Sequence, residues 1–322
     1  MERDIAAWDN HEPDMEYQIA STLGQLGHEV HLIGVHDDIQ TLAPALSACQ
    51  PELVFNGAES FHGNADLDYL FPALLEAEGF RYTGAPPVAL LVTRNKAMSK
   101  KVLSYHGIQV PGFATWRPGE KVVVPEELHF PLIVKPLHTD ASAGIAQASV
   151  VTDRASLVDR VAFVHDRFRQ PAIAEEFIEG RELYVSMIGN GDSLELLPIT
   201  EMVFDHRKTR PEERIATQYA KWDEPYRARK GIKNVFARPI SRAARKRIDE
   251  ICRTAYRSLW LQDYARMDVR LTAEGEVWFI EANANPFISW GHDVANAAEK
   301  AGMTYPALIQ RIADEAIARY DE

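Results

Sequence analysis

The spacing of apolar residues divides the chain into alternating strand and helix signals. Ile5 to Trp8 reads as a weak first strand. Met15, Ile19, Leu23 and Leu26 recur at the spacing of one helix face. Gly27 ends that helix, and Glu29 to Val35 reads as a strand. Leu53 to Phe55 is a short apolar strand, followed by a helix around Leu67 to Glu78. This rhythm predicts a small open parallel sheet over the first part of the chain. A helix over Arg94 to His106 follows, then strands at Phe113 to Trp116 and Pro131 to Lys135. A loop of small residues, Thr139 to Gly144, leads to a strand at Ile145 to Val151. A helix at Ala155 to Phe168 and a strand at Ala172 to Phe177 come next. Two strands joined at Asn190-Gly191 read as a hairpin. A helix over Ser241 to Leu259, a hairpin over Arg266 to Asn283 and a helix over Pro306 to Tyr320 follow. The pattern is that of an α/β chain.

The late hairpin carries the most specific chemical signal. Its two apolar-rich runs flank Ala273-Glu274-Gly275, a tight-turn sequence. With Glu274 and Gly275 as a two-residue loop, Asp268 stands opposite Glu281 and Arg266 opposite Asn283. Side chains alternate faces along a strand, so all four project from one face. Facing carboxylates repel, and a cation between them relieves the repulsion. Carboxylate and amide oxygens suit a hard ion, and Mg²⁺ leaves room for phosphate oxygens and water. The hairpin therefore predicts a Mg²⁺ site set against a nucleotide. The competing reading is a surface hairpin with solvated charges.

Two other segments are candidates. Lys135 ends the apolar strand Phe130 to Pro136, where a lysine needs an anionic partner if it is buried. The Ala141-Ser142-Ala143-Gly144 loop after it can bring backbone N–H groups close to a phosphate. A strand-end lysine reaching water, followed by an ordinary turn, explains the same residues. Glu175 to Glu182 is a strand followed by a bend that can meet an adenine edge and a ribose. Solvated glutamates are the simpler explanation of that stretch taken alone.

Composition narrows the class. Among 322 residues, 46% are hydrophobic and 25% charged, as in soluble globular proteins. No apolar run is long enough to span a bilayer, and no signal peptide is visible. Cys49 and Cys252 are far apart and form no metal-binding pair, so a cytoplasmic protein is expected. The formal net charge of −12 argues against nucleic-acid binding. Between His206 and Arg247, however, 14 Lys/Arg stand against 4 Asp/Glu. Either this is a solvated surface or a loop that neutralises an anionic ligand. Walker A, GxGxxG, HExxH, CxxC and GxSxG sequences are all absent.

Six segments in order carry a resemblance: Leu53-Val-Phe-Asn-Gly57, Thr93-Arg-Asn-Lys-Ala97, Phe130 to Pro136, Glu175 to Glu182, Ala265-Arg-Met-Asp268 and Glu281-Ala-Asn283. Together the chain resembles the ATP-grasp fold, closest to the D-alanine–D-alanine ligase family, from about residue 50 onward. The resemblance implies three subdomains, 1–92, 93–178 and 179–322, with ATP held between the central and C-terminal ones. The ATP-binding part would be α+β. It implies that Lys96 and Lys135 contact ATP phosphates and that Ser142 covers them. Glu175 would meet the adenine amino group. Glu176 and Ile178 would offer backbone atoms to adenine, and Glu182 would hold the ribose. Asp268, Glu281 and Asn283 would bind Mg²⁺ or Mn²⁺. Arg266 would steady the reacting carboxylate or acyl phosphate, and Lys221 would reach the γ-phosphate.

The activity implied is that of an ADP-forming carboxylate–amine ligase working through an acyl phosphate. Its partners would be small carboxylates and amines of the amino-acid type and a second copy of the chain, with no nucleic acid or membrane. The acceptor half departs from the family pattern. Phe287 stands near a glycine position and His292 near a serine position that contact the second amino acid. The N-terminal segment lacks the family's glycine-rich turn and its amino-group-binding glutamate, for which Glu12 and Glu16 are candidate substitutes. A relative joining a different carboxylate and amine is therefore expected, with His292 as a candidate base. A small-molecule kinase and a non-catalytic ATP-binding module are the competing readings.

Overall fold

In the computed structural model the chain is described over residues 14–321, apart from 36, 140, 141, 143, 211 and 212. The strand expected at Ile5 to Trp8 and the candidate Glu12 lie outside the described residues. Helix α1 (Met15–Gln25) starts where the Asp14 carboxylate accepts from the Tyr17 N–H, a side-chain cap. It buries Met15 and Ile19, as the spacing predicts. The strand expected at Glu29 to Val35 has no strand pairing among the described residues. Leu53 to Phe55 contributes one parallel bridge, Val54 to Tyr82. The apolar pattern there reports packing instead. Ile33, Val35 and Val54 lie against a core of Leu42, Leu46, Phe61, Phe71 and Leu75, built largely on α2 (Leu42–Cys49) and α3 (Leu70–Glu78). The helix expected over Arg94 to His106 begins instead at Lys96. α4 (Pro87–Arg94) ends before it and α5 (Lys96–Tyr105) starts afresh. Asn95 separates them because its side chain accepts from the Met98 N–H and caps α5.

The next residues build a four-stranded antiparallel sheet, β1 (Phe113–Trp116), β2 (Leu132–Pro136), β3 (Val150–Val151) and β4 (Ala172–Glu176), in the order β1-β4-β2-β3. α6 (Arg154–Phe168) covers one face, where Leu157, Val161 and Val164 meet Leu132, Val134 and Ala174. The strand expected from Ile145 shrinks to β3. Local bonds replace its ladder: Ser149 Oγ accepts from the Ala146 N–H, and Arg160 donates to Ser149 Oγ and the Gly144 carbonyl.

A second antiparallel sheet holds β5 (Arg181–Ile188), β6 (Glu195–Leu196), β7 (Thr200–Val203), β8 (Lys233–Phe236), β9 (Tyr264–Leu271) and β10 (Val277–Asn283). Its order is β10-β9-β5-β7-β8, with β6 beside β5. The Asn190-Gly191 connection is longer than a two-residue turn. Asn190 has φ −131° rather than a positive φ, and its side chain donates to Asp263. The basic segment supplies α7 (Gln218–Trp222) and α8 (Glu224–Lys230). α9 (Arg242–Ser258) lays Ala244, Ile248, Ile251, Cys252 and Ala255 on one face of the sheet. α10 (Asp293–Lys300) and α11 (Tyr305–Asp321) share a core with α1 through Met15, Ile19, Val294, Leu308 and Ile312. Cys49 and Cys252 are free thiols. No helix among the described residues is long and apolar enough to cross a membrane.

Asp263 ties these parts together. It is fully buried, pairs with Arg319 of α11 at 3.1 Å, and accepts from the Gly84 N–H at 2.7 Å. Asp263→Ala leaves the Arg319 guanidinium without its carboxylate and should lower unfolding stability by about 3 kcal/mol. Denaturant titration checks this; a loss below about 1 kcal/mol would mean Arg319 finds another partner.

Candidate active site

The β9–β10 hairpin sets the site, and it does so by a route the sequence does not show. The Thr272 N–H donates to the Glu276 carbonyl and the Gly275 N–H to the Thr272 carbonyl, at 3.0 and 3.1 Å. Gly275 has φ +89°. The loop is therefore three residues, closed by a residue in the left-handed region. Near the turn the pairing is accordingly Val277 with Leu271 and Phe279 with Val269, one residue off the expected register. A bulge between Phe279 and Glu281 then restores it, so that Glu281 pairs with Asp268 and Asn283 with Arg266. The bulge also reverses which side chains face inward. Val277 and Phe279 lie in the core, and beyond the bulge so do Ala282 and Ala284. Glu281 and Asn283 consequently share the opposite face with Arg266 and Asp268.

That face is a dense array of paired charges. Arg266 grips Asp268 with two hydrogen bonds, 2.8 and 3.1 Å. Asn283 Nδ2 lies 3.4 Å from Asp268 Oδ1, and Lys221 Nζ 3.8 Å from Asp268 Oδ2. Burial raises the Asp268 pKa, against the pull of Arg266 and Lys221. Burial pushes Glu281 the same way, but Lys221, Lys96, Lys135 and Arg266 outweigh it and hold Glu281 below the ordinary carboxylate range. The repulsion between the two carboxylates is thus relieved by side-chain cations. Among the described residues no three His, Cys, Asp or Glu side chains gather as a metal cluster. The candidate set is two carboxylates and an amide, an oxygen-rich set that fits a hard ion keeping its other ligands from phosphate and water.

The small sheet contributes a second array. Lys135 Nζ lies 2.9 Å from Glu175 Oε2, and Lys100 Nζ 3.4 Å from the same oxygen. All three side chains are buried. Lys135 is therefore not a strand-end lysine reaching water. Burial works against its charge, yet Glu175 and Glu281 together raise its pKa. Lys100 fares differently: burial dominates and draws it down to about 8. Lys96 Nζ donates to the Thr139 carbonyl at 2.7 Å, at the entrance to the small-residue loop. Glu175 Oε1 is buried with no hydrogen-bond partner among the described residues. A buried carboxylate oxygen left this way favours a ligand N–H.

The remaining predicted residues fall around these arrays. Ser142 is buried, with φ +59°, in the loop after β2. That loop is joined to the basic segment: the Gln218 N–H donates to the Ile145 carbonyl, and Gln147 donates to the Glu213 carbonyl. Glu182 accepts from Arg270 at 2.6 Å and from the Tyr184 hydroxyl at 3.1 Å. Arg270 also donates to the Ile178 carbonyl, and the Glu176 N–H is taken by the Gly112 carbonyl. The Glu176 side chain points elsewhere, to His129. Of the residues expected at the acceptor, Phe287 and His292 have their rings edge to face with centroids 4.7 Å apart. Partial burial lowers the His292 pKa, with Asp293 opposing. Glu16 is exposed on α1, and its chain runs close to Gly57.

Sequence reasoning missed several contributors. Lys100 sits one helical turn after Lys96, so the i, i+4 spacing carried its signal. Arg270 and Tyr184 continue the alternations Arg266–Asp268 and Glu182 along their strands. Tyr184 lies under both cations, with Arg266 at 5.1 Å and Lys221 at 5.6 Å from its ring centre. Asp293 had no signal, since its partners Asn234 and Thr200 come from strands that the apolar pattern did not reveal.

The fold superposes on the crystal structure of D-alanine–D-alanine ligase from Bacillus anthracis with a TM-score of 0.77. The match covers 95% of this chain and 92% of that one at 20% sequence identity, and shows the fold. Two antiparallel sheets of this kind, each carrying buried paired charges, form the ATP-grasp fold. Residues 102–314 match the family model for the D-ala D-ala ligase C-terminus. The uncharacterized protein y4sG of Sinorhizobium fredii is 30% identical over 307 residues, covering 94% of this chain and 87% of its own length. D-alanine–D-alanine ligase from Bordetella petrii is 29% identical over 268 residues, covering 81% of this chain and 75% of its own. The chain belongs to the D-alanine–D-alanine ligase family.

Lys100→Met should remove the cation that meets both Glu175 and the bulge, where Lys100 Nζ donates to the Ile280 carbonyl at 2.6 Å. The expected cost is about 3 kcal/mol of unfolding stability. Chemical denaturation reads it, and a change under about 1 kcal/mol would show that the bulge holds without the ammonium.

Proposed function

We propose that the protein is an ATP-dependent, ADP-forming ligase that joins a small carboxylate to an amine. The observation that carries this reading is the cross-strand pairing of Asp268 with Glu281 among Lys96, Lys135, Lys221 and Arg266. Such an array can exchange carboxylate partners for phosphate oxygens without rebuilding the cleft. The base would lie against Glu175, whose free oxygen suits an adenine amino group, and Ile178. The ribose would meet Glu182, already oriented by Arg270 and Tyr184. Lys96, Lys135 and Lys221 would hold the phosphates, with the Ser142 loop above them.

Asp268, Glu281 and Asn283 would hold Mg²⁺, which when bound would neutralise phosphate oxygens during transfer. A substrate carboxylate oxygen attacks the γ-phosphorus, the bond to the β-phosphate oxygen breaks, and ADP leaves. Arg266 would steady the resulting acyl phosphate. An amine nitrogen then attacks the acyl carbon, and the carbon–oxygen bond breaks as phosphate departs. Closure of the two joined loops over the cleft would keep water from the acyl phosphate.

The relatives named as D-alanine–D-alanine ligases support an amino-acid-like substrate class. Phe287 and His292, packed together on the acceptor side, support a pair of substrates different from theirs. Phosphate release should require ATP, Mg²⁺ and a pair of amino acids, with a product mass equal to the pair minus water. ATP turnover that phosphorylates a single compound and forms no amide would replace the ligase reading with a kinase. Glu281→Gln and Asp268→Asn should each lower turnover by about 100-fold or more. Circular dichroism should stay unchanged, and wild-type rates in either variant would remove the metal assignment.

A further inference from the structure

The cleft has a direction. Along β9, Arg270, Asp268 and Arg266 follow one another at two-residue steps, about 6.6 Å each. Arg270 lies with Glu182 at the end proposed for the ribose, and Asp268 with Glu281 at the end proposed for the phosphates. Arg266 is next, where the acyl phosphate would form. Beyond Arg266 stands Asp293, the first residue of α10, with Oδ2 3.9 Å from Arg266 Nη1.

The hydrogen bonds that hold Asp293 come from groups other than Arg266. Its Oδ1 accepts from Asn234 Nδ2 at 2.9 Å and from Thr200 Oγ1 at 3.5 Å, both neutral donors. Its Oδ2 accepts no hydrogen bond from the described residues, and the side chain keeps 18% of its surface exposed. Arg266 already spends Nε and Nη2 on Asp268, and 3.9 Å is too long for a hydrogen bond. The charged and titratable groups around Asp293 are Arg266 from β9, Tyr184 from β5 and His292 beside it. Asn234 is in turn oriented by Arg227, which also donates to the Ala220 and Lys221 carbonyls. The carboxylate is thus fixed by one oxygen and open through the other, on the far side of the arginine from the phosphates.

We propose that Asp293 receives the ammonium group of the acceptor and takes a proton from it. This rests on the ligase reading above and names the acceptor class: a protonated primary amine held by a carboxylate next to Arg266. The ammonium gives one proton to Asp293 Oδ2, and the freed nitrogen lone pair forms the bond to the acyl carbon. The acyl carbon–oxygen bond breaks toward phosphate, which carries off the second proton. His292 is not required as base.

The test separates a charged acceptor from a neutral one. Wild type and Asp293→Asn are assayed with ATP, Mg²⁺ and a panel of free acids, D-alanine, glycine and β-alanine. Hydroxylamine, which is neutral under mildly alkaline conditions, is offered as one acceptor, and the amino groups of the same panel and of 1,4-diaminobutane as the others. Hydroxamate reports the acyl phosphate, and mass detection reports the amide. Asp293→Asn should keep hydroxamate formation within about twofold while amide formation falls by about 100-fold or more. Asp293→Glu should recover part of the loss. Equal loss of both products in Asp293→Asn would overturn the proposal and make Asp293 a support for Arg266. Unchanged amide formation would overturn it outright. Wild-type protein that yields no hydroxamate from any acid would overturn the ligase reading and this inference with it.

Discussion

One ammonium group decides where the chemistry of the large sheet points. The bulge in β10 puts the Ile280 carbonyl out of ladder, and Lys100 Nζ takes it at 2.6 Å. Without that bulge, strand alternation would carry Glu281 to the face of Val277 and Phe279, into a core of Met267, Val269 and Leu271. A carboxylate there would be neutralised or expelled. The cost of the bulge is a displaced carbonyl in a dry place, and a buried lysine from α5 offsets it. The same lysine meets Glu175 of the small sheet, so a single side chain fixes the aim of one array and the charge balance of the other.

The rest of the cleft follows from alternating charge. Each carboxylate has a cation within reach: Glu175 has Lys135 and Lys100, Asp268 has Arg266, and Glu182 has Arg270. Buried pairs of this kind add little net stability, because desolvation consumes most of the attraction. What they provide is orientation. Tyr184 illustrates it: the ring underlies Arg266 and Lys221 while the hydroxyl holds Glu182, so one residue aligns groups proposed for ribose, phosphate and acyl group. A polyphosphate entering such a cleft would meet cations already in place and would need no new ones.

The hairpin shows what was legible and why. Asp268 opposite Glu281 was readable because strand alternation and a glycine turn are strong local signals. The assumed loop was one residue too short and the bulge was unforeseen, and the two errors cancelled at the site. Where pairing depends on distant partners, the sequence said less. Glu29 to Val35 has the composition of a strand, yet among the described residues its apolar side chains serve packing only. Asn190-Gly191 has the composition of a tight turn, but Asn190 is drawn into the Asp263 network and stays at φ −131°, so the positive φ values fall on Gly189 and Gly191. Lys100 was overlooked for a general reason. A lysine is seldom buried, and its i, i+4 spacing from Lys96 marks a shared helix face but not a partner carbonyl 180 residues away.

The basic segment gains a meaning that its composition alone did not give. Most of its Lys and Arg side chains lie on a solvated surface, as the simpler reading has it, but a few turn inward. Lys221 reaches Asp268, Arg227 braces the turn that carries Lys221, and the same Arg227 orients Asn234 toward Asp293. At its other end the segment hydrogen-bonds the loop of Ser142 through Gln218 and Glu213. A movement of the segment would therefore shift the cation proposed for the γ-phosphate, the cover over it and the donor behind Asp293 together. If phosphoryl transfer and amine capture are the two halves of the reaction, this connection gives them a common mechanical origin. The acceptor carboxylate would be set in place only when the phosphate cations are.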